Sequence, residues 1–296
     1  MLDLAAILEH LLSKVPAVSK RPAVPDELYH YTSTACFHGI LRSRKLWLTY
    51  YGHMNDGSEF DYGLSEFETC FEEVRQSGAL AEISGRLSDL PLWVRQLANA
   101  RSEYLFCLCD RKNLISQWRE YSKDTTSYAI GLDLRDEAIR LLSPRPVLIK
   151  VEYSQQSQRT RIHQLLQACN SFMKHDAPAD VAQQDMDVMK TAMAKLVLRC
   201  IIHFKHPAFE PESEWRLVLG GIKEELGPLA FRATRMGVSP YMEVAVDGGG
   251  LLPIRSVMIG PSAFREVAHG TTDTFLKSCG YAGIPLYTSN IPIRSL

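Results

Sequence analysis

The stretch SEWRLVL, residues 213–219, places Glu214, Arg216 and Val218 on one side of an alternating segment and Trp215, Leu217 and Leu219 on the other. Successive side chains of a strand point to opposite faces, so this spacing predicts a β-strand with one apolar face. The Trp/Leu face belongs to a core. The face carrying a carboxylate and a guanidinium is either a solvated edge or the wall of a polar cleft beside the sheet.

Working outward, LAFRATR, YMEVAVD and IRSVMIGP follow as strands, then a helix over Ala263 to Ser278 and a last short strand in IPLYTS. Before the opening stretch, about Gln155 to Phe204 is long, polar on one side and broken near Pro178, which predicts two helices inserted between strands. Upstream of that insert, EYLFCLCD, SYAIGLDL and PVLIKVEYS predict strands, LISQWREYS a short helix, and Arg135 to Leu142 another helix.

The first part of the chain adds strands LYHYT and KLWLT around the helix STACFHGILRSR, with Ser33 or Thr34 as its cap. HMNDGSE is a loop by its Asn-Asp-Gly turn chemistry. From Ser58 to about Arg101 the period is helical, with Phe60, Leu64, Phe67 and Phe71 on one stripe. Strands and helices mix without a regular βαβ repeat, so the fold class is α+β. Residues 1–27 form an N-terminal amphipathic helix, with Leu4, Leu8, Leu11 and Leu12 at helical spacing, and a proline-rich tether; residues 28–296 form a single domain. The helix is expected to lie against the body or to carry a partner or self-association contact through residues 1–14.

The 33 basic and 34 acidic residues leave a formal charge of -1, so no global field holds nucleic acid. The N-terminal apolar stretch is interrupted by Asp3, Glu9 and His10 and lacks a basic leader, and no run approaches the about 18 apolar residues of a membrane span. The seven cysteines follow no repeating spacing, which favours reduced thiols. A soluble, cytoplasmic protein without a membrane partner is expected.

Familiar motifs are missing: no glycine-rich phosphate loop, no G-x-S-x-G elbow, and no zinc spacing in the Cys107/Cys109 or His203/His206 pairs. No metal is expected. Three polar features remain. His30 lies in LYHYT; Gln117, Trp118 and Tyr121 can share a helical face in SQWREY; Glu214 opens its strand with Arg216 beside it. Asn55, Asp56 and Glu59 form an acidic turn that either adds to a site or caps the next helix. Each feature taken singly has a structural explanation.

In order, LYHYTS, ILRSRKLWLT, MNDGSEF, CLCDRKNLISQWREYS, YAIGLD, FKHPAFEPESEWRLV, VMIGPS and SNIPIR resemble the bacterial family called domain of unknown function 2971, from about Leu28 to Arg294. At greater distance the layout is similar to the ADP-ribosyltransferase superfamily, in its diphtheria-toxin-like branch with a His, Tyr, Glu triad. That resemblance implies two small, mainly antiparallel sheets forming a cleft, flanked by helices, with the insert at about 155–204.

Carried over by position, the triad is His30, Tyr121 and Glu214. His30 would bond a ribose hydroxyl, Tyr121 would stack on nicotinamide, and Glu214 would engage the nicotinamide ribose. The implied substrate is NAD or a related nucleotide, contacted by His30, Tyr31, Thr32, Arg119, Tyr121, Tyr128 and Arg216. Tyr128 rivals Tyr121 for the stacking role, and Arg119 and Arg216 are candidates for phosphate. The implied reaction is transfer of ADP-ribose to a protein or nucleic-acid acceptor. The alternatives are a non-catalytic nucleotide or nucleic-acid sensing module in bacterial defence or stress response, and a metal-dependent nuclease using Asp56, Glu59 and Glu214.

Overall fold

A computed structural model of the chain describes residues 3–15, 22–53, 59–121, 126–178, 180–222, 228–234, 237–262 and 264–292. Helix α1 (Leu4–Lys14) is capped by Asp3, whose Oδ1 accepts the Ala5 amide at 2.9 Å. There follow β1 (Leu28–Ser33), α2 (Thr34–Ser43), β2 (Lys45–Tyr50), α3 (Glu59–Ser77), α4 (Ala81–Ser84), α5 (Leu90–Ala100) and β3 (Arg101–Cys109). The middle holds α6 (Ile115–Tyr121), β4 (Ser127–Leu132), α7 (Asp136–Arg140), β5 (Leu142–Ser143), β6 (Val147–Lys150), α8 (Gln155–His175) and α9 (Gln183–Ile201). The chain closes with β7 (Glu214–Ile222), β8 (Ala230–Thr234), β9 (Gly237–Val246), β10 (Ile254–Ile259), α10 (Arg265–Ser278) and β11 (Leu286–Thr288). This is the expected mixed α+β class.

The eleven strands form one branched, mixed sheet; β10 and β11 run parallel and the other pairs antiparallel. Two separate small sheets were expected, and here the structure differs. The branch point explains the difference. One edge of β3 pairs with β7 along its whole length, from Arg101↔Ile222 to Cys109↔Glu214. Its other edge is shared, with β2 at Tyr104 and Leu105 and β1 only at Cys109. The sheet therefore splays into two arms at β3 while staying hydrogen-bonded through it.

Two large cores flank this sheet. Trp215 and Leu217, the apolar face of the opening stretch, pack with Phe106, Leu148, Ile130 and Val257 in one of them. Burying side chains of this size stabilises the fold by about 1.5–3 kcal/mol each, which fixes the strand's register. The other core is helical, built from α1, α3, α5, α8 and α9. Helix α1 commits Ile7, Leu8 and Leu11 to it, so this stripe of the helix packs on the protein's own body. A third, small core of Tyr29, Tyr31, Cys109, Trp118, Ala129 and Met258 seats α6 on the sheet. Among the described residues no helix is long and apolar enough to cross a membrane.

Candidate functional site

Strand register decides which side chains meet. Tyr29 pairs with Cys109 and Cys109 with Glu214, so Tyr29, Tyr31, Cys107, Cys109, Glu214 and Arg216 share one face. This is the face turned toward the helical core. His30, Thr32, Phe106 and Trp215 occupy the opposite face.

Glu214 follows a 3₁₀ turn, Pro207–Glu212, and Ser213 in left-handed conformation (φ 48°) swings the chain from that turn into β7. Its amide donates to the Tyr153 hydroxyl at 2.9 Å. Its carboxylate receives Arg216 side-on, Nε to Oε1 at 2.8 Å and Nη2 to Oε2 at 3.0 Å, and Lys205 Nζ to Oε2 at 3.0 Å. Arg216 reaches further, to the Ile202 carbonyl at 3.2 Å and to Glu59 at the start of α3. Lys205 Nζ lies 2.6 Å from Glu59 and 2.5 Å from Glu212. Three carboxylates thus surround two cations, with Lys205, Glu214 and Arg216 at 4%, 5% and 3% exposure.

Charges this deep survive only because each is paired and hydrogen-bonded. Burial alone would raise the Glu214 pKa; Arg216 and Lys205 outweigh it and hold the carboxyl down at about 2. Burial would likewise discharge Lys205, but Glu214, Glu59 and Glu212 raise its pKa instead. Glu212 behaves differently: burial pushes its carboxyl up, with Lys205 opposing and Glu214 and Glu59 adding to the rise. The cluster therefore holds one firmly ionised carboxylate, Glu214, and one whose pKa burial raises, Glu212. Burial and the adjacent Glu214 drive the Cys107 thiol pKa well up, so this is no thiolate nucleophile.

Above the cluster opens a pocket of about 360 Å³. Glu59, Glu212, Glu214 and Glu120 give it acidic walls, and Tyr121 and Phe209 give it aromatic ones. Ser116 and Gln117 of α6 border it, and Lys205 is the cation lining it. A larger cavity of about 910 Å³ lies behind β6 and β7, lined by apolar residues such as Val147, Ile149, Leu198 and Ile202 and also by charged ones, among them Lys150, Glu152, Arg161 and Glu210. The smaller pocket is the one that Tyr121, Lys205 and Glu214 line together.

The expected residues divide by face. Tyr121, Gln117, Glu59, Tyr31 and Glu214 line the pocket, and Arg216 is buried beneath it. Burial, then the nearby Cys107 and Glu214, raises the Tyr121 pKa, so its phenol stays protonated. Tyr31 is engaged structurally, its hydroxyl donating to the Arg111 carbonyl at 2.7 Å and accepting the Leu114 amide at 3.0 Å.

The rest lie elsewhere. His30 stacks on Phe106 with centroids 3.8 Å apart, and its Nδ1–H donates to the Cys107 carbonyl at 2.8 Å. That carbonyl lies where the arms of β1 and β2 part from β3, so the imidazole serves a ladder position that neither strand fills. Burial lowers its pKa to about 4, keeping the ring neutral. His30 thus stands across the sheet from Tyr121 and Glu214, and the implied triad does not converge.

Thr32 shares the face of His30. Tyr128, also there, stacks on Phe37 at 4.0 Å and bonds Thr272, so it is no rival platform. Trp118 turns under α6, edge-on to Tyr31, with its Nε1–H donating to Asn113 at 2.7 Å. Arg119 points to solvent, and Arg216 is engaged by Glu214 and Glu59 rather than open to phosphate. Asn55 and Asp56 lie outside the described residues. Lys205 Nζ is set among Glu59, Glu212 and Glu214, the position that the nuclease reading would give to a divalent ion.

Sequence reasoning missed Lys205, Glu212 and the pocket position of Cys107. Glu212 carried a usable signal, an acidic residue two positions before Glu214. Lys205 carried none, because a lysine after a helix is ordinarily a surface charge.

No curated protein and no solved structure matches the chain. The model of a family described as a protein of unknown function (DUF2971) matches residues 117–217, about a third of the chain, and so takes in Gln117, Tyr121, Lys205, Glu212, Glu214 and Arg216 of this site.

Proposed function

We propose that the pocket above Glu214 takes the nicotinamide end of NAD, or of a related nucleotide carrying a cationic ring, and that the protein transfers the ADP-ribose part to a protein or nucleic-acid acceptor, as ADP-ribosyltransferases do. One observation carries this reading: an aromatic-walled pocket lined by four glutamates, Glu59, Glu120, Glu212 and Glu214, and by one lysine, Lys205, with Glu214 held ionised. The oxidised nicotinamide ring is positively charged, and an acidic pocket with a tyrosine wall suits it.

In the reaction the bond between ribose C1 and the ring nitrogen breaks with its electron pair going to nicotinamide. Positive charge then moves onto the ribose, and a fixed carboxylate stabilises that charge as it develops. The acceptor's nucleophile forms the new bond to C1 and releases a proton, which Glu212 is suited to take. Tyr121 orients the leaving ring. The diphosphate stays outside the pocket, since Lys205 and Arg216 are both engaged by carboxylates.

A second reading, a non-catalytic sensing module, draws on the fact that both oxygens of Glu214 are already bonded. The test is nicotinamide release from NAD by the full chain, with cell extract as the source of acceptor, beside Glu214→Gln and Glu212→Gln. Transferase chemistry predicts release that falls by about 10²–10³-fold in Glu214→Gln. Stoichiometric NAD binding without release selects the sensing module. Absence of both binding and release overturns the two readings together.

A further inference from the structure

Helix α3 carries Glu66, Cys70 and Glu73 four and three residues apart, a single stripe on one helical face. Against it α8 sets Arg159 and His163, also four apart. Arg159 bonds Glu73 and lies 3.9 Å from Glu66. The Cys70 thiol, a Glu73 carboxylate oxygen and a His163 ring nitrogen all fall within 4.8 Å of one another. Two further observations bear on this spot. Glu66 Oε2 is buried without a hydrogen-bond partner, and the Cys70 side chain is wholly buried.

We propose that Cys70, Glu73 and His163 form a binding site for a zinc-like divalent ion that clamps α3 to α8. The donor set is the argument: one sulfur, one nitrogen and one oxygen suit borderline-soft Zn²⁺, whereas Mg²⁺ and Ca²⁺ favour oxygen alone. Zinc bonds of about 2.0–2.3 Å need donors closer together than they now stand, by about 1 Å. The exposed Glu73 and partly exposed His163 can supply that movement.

In the metal-free protein, Arg159 provides the positive charge that Glu73 requires. When the ion takes Glu73, Arg159 is released toward Glu66, whose Oε2, now 3.9 Å away, then gains a hydrogen bond. The Cys70 thiol gives its proton to solvent as the sulfur–metal bond forms. Three protein ligands leave one coordination position for water. The site lies in the helical core, away from the Glu214 pocket, and does not depend on the transferase reading.

The test uses full-length, metal-stripped protein titrated with Co²⁺, followed by competition with Zn²⁺. The expected result is one equivalent of Co²⁺ with a near-ultraviolet thiolate-to-cobalt band that disappears in Cys70→Ser, while His163→Gln weakens Zn²⁺ binding by about 10–100-fold. No cobalt band in the wild type, or a band that persists in Cys70→Ser, overturns the site. Because Cys70 is buried, His163→Gln also stands alone: unchanged zinc affinity in that variant overturns the proposal whether or not Cys70→Ser folds.

Discussion

The network around Asp133, at the end of β4, and the network around Glu214, at the start of β7, are built from the same groups. Asp133 draws in Arg135 and Arg255, whose side chains remain 47% and 50% exposed. Glu214 draws in Arg216 and Lys205, which are almost wholly buried. Water competes for the first set and salt screens it, so its net worth is about 0–1 kcal/mol per pair. The second set has no water to fall back on. Removing one member strands the others, so its geometry is enforced by the cost of breaking it. Ion pairing alone does not mark a functional position; what sets Glu214 apart is that its pairing holds an ionised carboxylate in a pocket wall.

The sharpest way to break this comparison is Arg216→Met. It leaves Glu214 and Glu59 without their shared guanidinium, and urea denaturation should show a loss of about 3–5 kcal/mol. A loss below 1 kcal/mol would put the buried network in the same class as the exposed one.

Next comes Glu214→Gln, expected to cost about 1.5–3 kcal/mol at pH 7 through weakened charged hydrogen bonds. Its pH dependence carries the sign. The folded carboxyl, at about 2, lies below its ordinary 4.5, so Glu214 contributes stability that is present above 4.5 and is lost as pH falls toward 2. The variant's stability should therefore decline less between those values than that of the wild type.

His30→Ala should cost about 1–3 kcal/mol by orphaning the Cys107 carbonyl. Under the proposed NAD reading, calorimetry should show the same affinity in this variant as in the wild type, since His30 faces away from the pocket. A large loss of binding with a stable fold would restore His30 to the site. Arg255→Ala closes the series with a change within about 1 kcal/mol that shrinks further in high salt.

Local patterns made much of the fold legible. Alternation of Trp215, Leu217 and Leu219 marks β7 correctly, and the break near Pro178 separates α8 from α9. The site was only half legible, and the reason is non-local. That Tyr121 and Glu214 meet follows from α6 docking on the face that β7 charges. That His30 does not join them depends on a register passed from Tyr29 to Cys109 to Glu214, across three strands far apart in sequence. A one-residue slip would have reversed the outcome. The single branched sheet was equally hidden, because which strands share the second edge of β3 is written in no single segment.

The full-length pairing of β3 with β7 also governs how the protein folds. Between these partners lie β4, β5, β6 and both helices of the insert, so Cys109 and Glu214 meet only by closing a long loop. Closing so long a loop is entropically costly and slow, and the helices between them are rich in local contacts that form faster. The acidic pocket rests on this non-local pairing, so a ligand that selects it acts on the whole fold, adding RT ln(1 + [L]/Kd) to global stability.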